Sequence, residues 1–186
     1  MKRFTHILAA AALALALAVP SSAQAQRRDM PWLLEGYGAY VFLTGDYADL
    51  ASDGWAAGGL LGYNVVRQVW LMGNFSAYWN DGEGDRFDWT NYSYFGMLGY
   101  DALAPDMNGD LIFYLGAGVV SFEPDTDVLE KKTYFGLNGG LKLAYNFSQR
   151  VAGTLNFAAA VAFSEEDYIG GKTWFFPLGA GLAFRF

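Results

Sequence analysis

From about residue 30 onward, large apolar residues alternate with small or polar ones at a period of two, the pattern of strands whose successive side chains point to opposite faces. The last stretch, TWFFPLGAGLAFRF over 173–186, shows it plainly. Trp174, Phe176, Leu178, Ala180, Leu182, Phe184 and Phe186 share one face; the other carries Thr173, Phe175, Pro177, Gly179, Gly181, Ala183 and Arg185. Over 135–145, Phe135, Leu137, Leu141, Leu143 and Tyr145 oppose Gly136, Asn138, Gly140, Lys142 and Ala144. Over 151–163, Val151, Leu155, Phe157, Val161 and Phe163 oppose Ala152, Thr154, Asn156, Ala158, Ala160 and Ala162. Further strands are predicted over about 33–43, 55–64, 69–79, 91–100 and 111–122. In the second, Trp55, Ala57, Gly59, Leu61 and Tyr63 face outward. In the first, Gly36 and Gly38 weaken the alternation and leave its facing open. The fifth is apolar on both faces, with a lean towards Phe113 and Leu115 outward and Tyr114 inward.

Four phrases punctuate the pattern: LLGYN, MLGYD, KLAYN and GLAFR. Their aromatics, Tyr63, Tyr100, Tyr145 and Phe184, are 37, 45 and 39 residues apart. A spacing near forty suits one hairpin of two membrane-spanning strands with its loop and turn, so four units make eight strands. The expectation is an all-β fold, an eight-stranded antiparallel transmembrane up-and-down β-barrel. A soluble barrel would also alternate, but with large apolar residues inside and polar ones outside. Here the face opposite the large residues is glycine, alanine, asparagine and threonine, which suits a narrow lumen with lipid outside. Aromatics fall near strand ends as interfacial girdles do, with Trp55, Trp79, Tyr92 and Trp174 at one rim and Tyr63, Trp70, Tyr100, Tyr145 and Phe186 at the other.

The connections alternate in character. Residues 64–68 and 146–150 are tight turns and 101–110 a longer one; these are expected on the periplasmic side. Longer segments over 44–54, 80–90, 123–131 and 164–172 are expected outside, and they hold fourteen of the nineteen acidic residues. Lys2 and Arg3 precede an apolar run of 13 residues over 7–19, then Pro20 and the triplet Ala23, Gln24, Ala25. That is the pattern of a secretory signal peptide, residues 1–25, with cleavage after Ala25 and a barrel domain over 26–186. The run is too short to cross a bilayer, which needs about 20 residues. The remaining chain has ten basic and nineteen acidic residues, a balance that disfavours nucleic acid as a partner. The chain has no cysteine, and its single histidine, His6, precedes the predicted cleavage site.

The close AGLAFRF resembles the C-terminal signal by which outer-membrane barrels are recognised for assembly, with Gly181, Phe184 and Phe186 at its glycine and aromatic positions and Ala180 where a polar residue is usual. Over essentially its whole length, the mature chain resembles the small eight-stranded outer-membrane barrels of the OmpX and OmpA-transmembrane type. The resemblance implies residence in the cell outer membrane, handling by the barrel-assembly machinery, contact with outer-membrane lipids and lipopolysaccharide, and a monomer. Unlike the full-length OmpA family, no peptidoglycan-binding domain is expected.

Enzymatic barrels of this architecture rely on a histidine, which the mature chain lacks, and Lys142 has no serine at a neighbouring inward position to activate. No enzymatic activity and no cofactor are therefore expected. Asp81, Glu83 and Asp85 alternate with glycines, and Asp106, Asn108 and Asp110 alternate in the long turn; both offer hard oxygen ligands to calcium or magnesium. Neither fits the twelve-residue EF-hand loop, and solvated acids account for both. Glu35, Lys142 and Arg185 are expected as lumen charges, with Glu35 a partner for Arg185, since a buried unpaired charge costs several kcal/mol. Two functions remain open. One is a structural or interaction protein working through its acidic outer loops, on an extracellular partner or the lipopolysaccharide layer; the other is a narrow porin-like channel for ions or very small solutes.

Overall fold

The computed structural model describes residues 30–45, 48, 51–66, 68–82, 88–103, 107–125, 131–164 and 171–186. The predicted signal peptide lies outside them. Eight strands follow one another: β1 (Trp32–Gly45), β2 (Ala51–Val66), β3 (Val69–Gly82), β4 (Trp89–Asp101), β5 (Gly109–Pro124), β6 (Lys132–Asn146), β7 (Val151–Phe163) and β8 (Lys172–Arg185). Each pairs antiparallel with the next, and β1 pairs with β8 to close the barrel. Most strands run beyond their predicted bounds on the loop side, β2 starting at Ala51 and β4 at Trp89. Above the lipid the backbone ladder continues, but nothing there demands alternation, so the sequence pattern fades before the strand does.

Facing follows the period-two reading. Leu34, Leu61, Leu71, Leu98, Phe113, Leu115, Phe157 and Leu178 are all exposed, part of a belt of large apolar side chains around the outside. An apolar surface this extensive is stable only against lipid. Tyr114 turns inward between exposed Phe113 and Leu115. The first strand, left open by the pattern, turns Leu33, Glu35, Ala39, Val41 and Leu43 inward. One girdle residue departs from expectation: Trp70 is only 3% exposed and lies inside the barrel. Its neighbours Val69 and Leu71 both face lipid, so parity sends Trp70 inward although it stands at a strand end.

The recurring phrases now have a physical reading. Gly62, Gly99, Ala144 and Ala183 are buried inward positions, the following aromatic faces out near the membrane edge, and the polar residue after it turns back towards the lumen end. All four phrases end strands that run towards the tight-turn side. There the backbones of Trp32 and Phe186 exchange two hydrogen bonds, at 3.0 and 3.1 Å, and finish the β1–β8 ladder.

Phe184 and Phe186 expose half or more of their surface on the outside of this last strand. Replacing both with serine is expected to remove most of the folded barrel, read as loss of the heat-modifiable gel band, since it strips the aromatic face we take for the assembly signal. Deleting Phe186, which also removes one closing hydrogen-bond pair, should act in the same direction.

Candidate functional site in the lumen and at the outer rim

Eight strands leave an interior with room for side chains and little else, and the inward residues fill it in levels. At the tight-turn end, the Arg185 guanidinium pairs with the Asp110 carboxylate and lies 5.8 Å from the centre of the Trp70 ring. Leu33, Met72 and Ile112 are buried at the same end. Next, Glu35 accepts hydrogen bonds from Thr154 Oγ1 at 2.6 Å and Asn156 Nδ2 at 2.7 Å, and ion-pairs with Lys142. Both side chains of that pair are wholly buried.

The expected Glu35–Arg185 pair does not form. The register sets Leu33, not Glu35, opposite Arg185, and Glu35 opposite Ala183. Glu35 therefore stands one inward position further up the barrel, level with groups from β6 and β7. Asp110, read from sequence as a possible turn ligand for a cation, is instead an inward strand residue occupied by Arg185.

Mid-barrel, the Tyr37 and Ser76 hydroxyls share a 2.5 Å hydrogen bond, and Asn74 Nδ2 donates to the Tyr37 hydroxyl at 2.7 Å. These groups, with Tyr114, Asn138 and Asn156, line a cavity of about 30 Å³, which is room for one or two waters. Asn138 Oδ1, buried and accepting from no protein donor, is a group such water would serve. Glycine is required beneath both tyrosines: a Cβ at Gly58 would stand 2.5 Å from both the Phe75 carbonyl oxygen and the Tyr37 ring, and one at Gly140 would stand 2.4 Å from the Phe157 carbonyl oxygen and 2.6 Å from the Tyr114 hydroxyl.

Towards the outer end the lumen turns apolar, which the sequence reading did not foresee. Tyr78, Phe122, Tyr134 and Phe175 come from four different strands and meet with ring centres 5.4 to 6.0 Å apart. Val41 and Val120 are buried at 0% and 1% exposure. Above them Asn91 Nδ2 donates to Asn80 Oδ1 at 3.2 Å, and Asn80 Nδ2 to the Ser52 carbonyl at 3.1 Å. The inward parity of Phe122 and Phe175 was available in the sequence, but their convergence depends on register across strands that never neighbour one another.

At the outer rim, Lys131 ion-pairs with Glu123 and sits 5.7 Å from the Tyr92 ring centre. The Glu123 hydrogen bond raises the Lys131 ammonium above the ordinary lysine value. Of the alternating acids, Asp81 is exposed, its carbonyl accepting from Ser52 Oγ at 3.1 Å; Glu83, Asp85 and Asp106 lie outside the described residues. Among the described residues no group of three or more histidines, cysteines, aspartates or glutamates is placed to hold a metal ion.

A closed antiparallel barrel with an apolar exterior and a packed lumen defines a transmembrane β-barrel protein of the outer membrane. The chain belongs to the outer membrane protein beta-barrel domain family, whose model matches residues 9–186. Its fold is shared by neisserial surface protein A (13% identity, 84% of this chain and 97% of that one, TM-score 0.68). The N-terminal β-barrel domain of Pseudomonas aeruginosa OprF shares it too (16%, 84% and 98%, 0.54). So does Ail, the attachment invasion locus protein of Yersinia pestis, in complex with the heparin analogue sucrose octasulfate (16%, 82% and 97%, 0.56). No curated protein matches the chain in sequence. The protein resides in the outer membrane, in contact with its lipids.

Neutralising Glu35 alone leaves Lys142 charged and buried, at a cost of about 3 to 5 kcal/mol. Glu35→Gln should lower stability by that order in urea titrations of the folded barrel. Adding Lys142→Met should recover most of the loss, giving a strongly non-additive cycle.

Proposed function

We propose that this barrel serves envelope structure and surface interaction through its acidic outer loops, and conducts poorly or not at all. The observation that carries the reading is the lumen filled at successive levels: two ion pairs, a tyrosine and asparagine network around about 30 Å³ of space, and an apolar aromatic layer. An ion crossing that last layer would have to shed its water against phenylalanine and valine, which offer nothing in return.

The outer segments gather fourteen of nineteen acids. A surface of that sign repels polyanions, so a ligand like the sulfated sugar bound to Ail is disfavoured here. It suits basic partners, or the phosphate-rich lipopolysaccharide layer when calcium or magnesium bridges the two sets of negative charge. Asp81, Glu83 and Asp85 are the residues we assign to such bridging. The polar mid-section favours a second reading, a narrow channel for ions or very small solutes, and the same experiment separates the two.

Reconstituted in planar bilayers, the protein should give only rare, small openings. Replacing the outer segments 83–87, 126–130 and 165–170 with short turns should leave the heat-modifiable folded band intact. In a deletion strain, that shortened chain should fail to restore resistance to detergent where the full chain succeeds. Steady channels whose conductance changes with Lys142→Met would overturn the reading in favour of the pore.

A further inference from the structure

Seven of the eight strand contacts in this barrel join strands consecutive in the chain, and their ends are tethered by a turn or loop. The eighth, β1 against β8, joins strands at opposite ends of the chain, so no short connection holds it. An untethered contact faces the full entropy of closing a long loop, and lipid penalises any backbone group it leaves unpaired. The seam is where this fold most needs a further hold.

The buried charges sit there. Among the described residues, the two buried ion pairs each take one member from a seam strand: Glu35 from β1 and Arg185 from β8. The other members, Lys142 and Asp110, belong to the β5–β6 hairpin. The Glu35–Lys142 pair crosses the seam, with β8 and β7 between its two strands, while the Arg185–Asp110 pair, with β7 and β6 between, anchors β8 to the same hairpin from its own side. Glu35 is held by Lys142, Thr154 and Asn156, all on β6 and β7 and therefore beyond β8. Other lumen bonds do not cross the seam: Tyr78 with Ser93 and Asn91 with Asn80 join β3 to β4, and Tyr37 of β1 reaches Ser76 and Asn74 of β3 on the side away from β8.

We infer that the Glu35–Lys142 and Arg185–Asp110 pairs form an internal clasp that keeps the β1–β8 seam shut, and that the barrel opens first at this seam when they are broken. Removing Glu35 strands the Lys142 cation across the lumen, and removing Asp110 strands Arg185 on the seam strand β8 itself. The strain is relieved most easily where the wall is untethered, by letting β1 or β8 swing out.

The test uses hydrogen exchange on the full barrel in detergent micelles. Glu35→Gln with Asp110→Asn should speed exchange of β1 and β8 seam amides by about a hundredfold, with β3–β4 amides changing far less. Tyr78→Phe, which removes only the β3–β4 hydroxyl bond to Ser93 and keeps the ring against Phe175, should show no such polarity. Because the chain has no cysteine, Gly38→Cys with Ala180→Cys can staple the seam: these residues are opposite each other and both are exposed on the outer face. Oxidising that pair should return the seam amides of the charge variant to slow exchange. Should the charge variant yield no folded barrel, oxidised and reduced staple forms are compared for folded yield, and only the oxidised form should recover it. Exchange that rises evenly around the barrel, or a staple that rescues neither exchange nor yield, would overturn the inference.

Discussion

Lipid offers a peptide group nothing to bond with, so each N–H and C=O at membrane depth must find its partner within the protein. For a chain of strands this forces closure, and the β1–β8 ladder, ending where Trp32 and Phe186 exchange backbone hydrogen bonds, is where closure is made. Much of the rest follows from that constraint. Closing on eight strands fixes a narrow interior. A narrow interior can be filled by side chains, and once filled it cannot leave charges unpaired. Glu35, Lys142, Asp110 and Arg185 are tolerable inside because each opposes a charge of the other sign.

The same constraint confines function. The outer wall is committed to lipid and the inner one to packing, so neither has surface to offer a soluble partner. The segments between strands at the outer rim, to which we assign interaction, hold most of the acidic residues. The split between an interior whose charges cancel and an exterior with a large excess of acid is an electrostatic division of labour. Cancelled charge stabilises a shape, whereas uncompensated charge acts at a distance set by ionic strength.

Strand number, antiparallel order and the facing of most strands were legible because lipid enforces the period-two pattern strictly. Leu155, Phe157 and Phe163 cannot turn inward without placing small residues against acyl chains. Facing was unreadable where the enforcement lapses, as at Gly36 and Gly38. Trp70 misled for a different reason, since residue type and position suggested a girdle while parity dictated the lumen. The pairing of lumen charges was beyond sequence altogether. Which inward residues meet depends on the stagger accumulated around the whole barrel, and a difference of one inward position separates Glu35–Arg185 from the pairs that form. The aromatic layer of Tyr78, Phe122, Tyr134 and Phe175 was hidden in the same way, each ring having been visible singly and their meeting not.

The glycines beneath Tyr37 and Tyr114 carry a consequence for how such a chain is inherited. Gly58 makes room for the Tyr37 ring and Gly140 for the Tyr114 hydroxyl, so the lumen behaves as a container of fixed capacity shared by residues far apart in the chain. A lineage that gained a methyl group at position 140 would have both to shed atoms at 114, on another strand, and to shift the Phe157 carbonyl that such a group would meet at 2.4 Å. Substitutions inside the barrel should then accumulate in compensating pairs, each member harmful alone. Descendants of one ancestral barrel could come to differ at most inward positions while enclosing the same total volume.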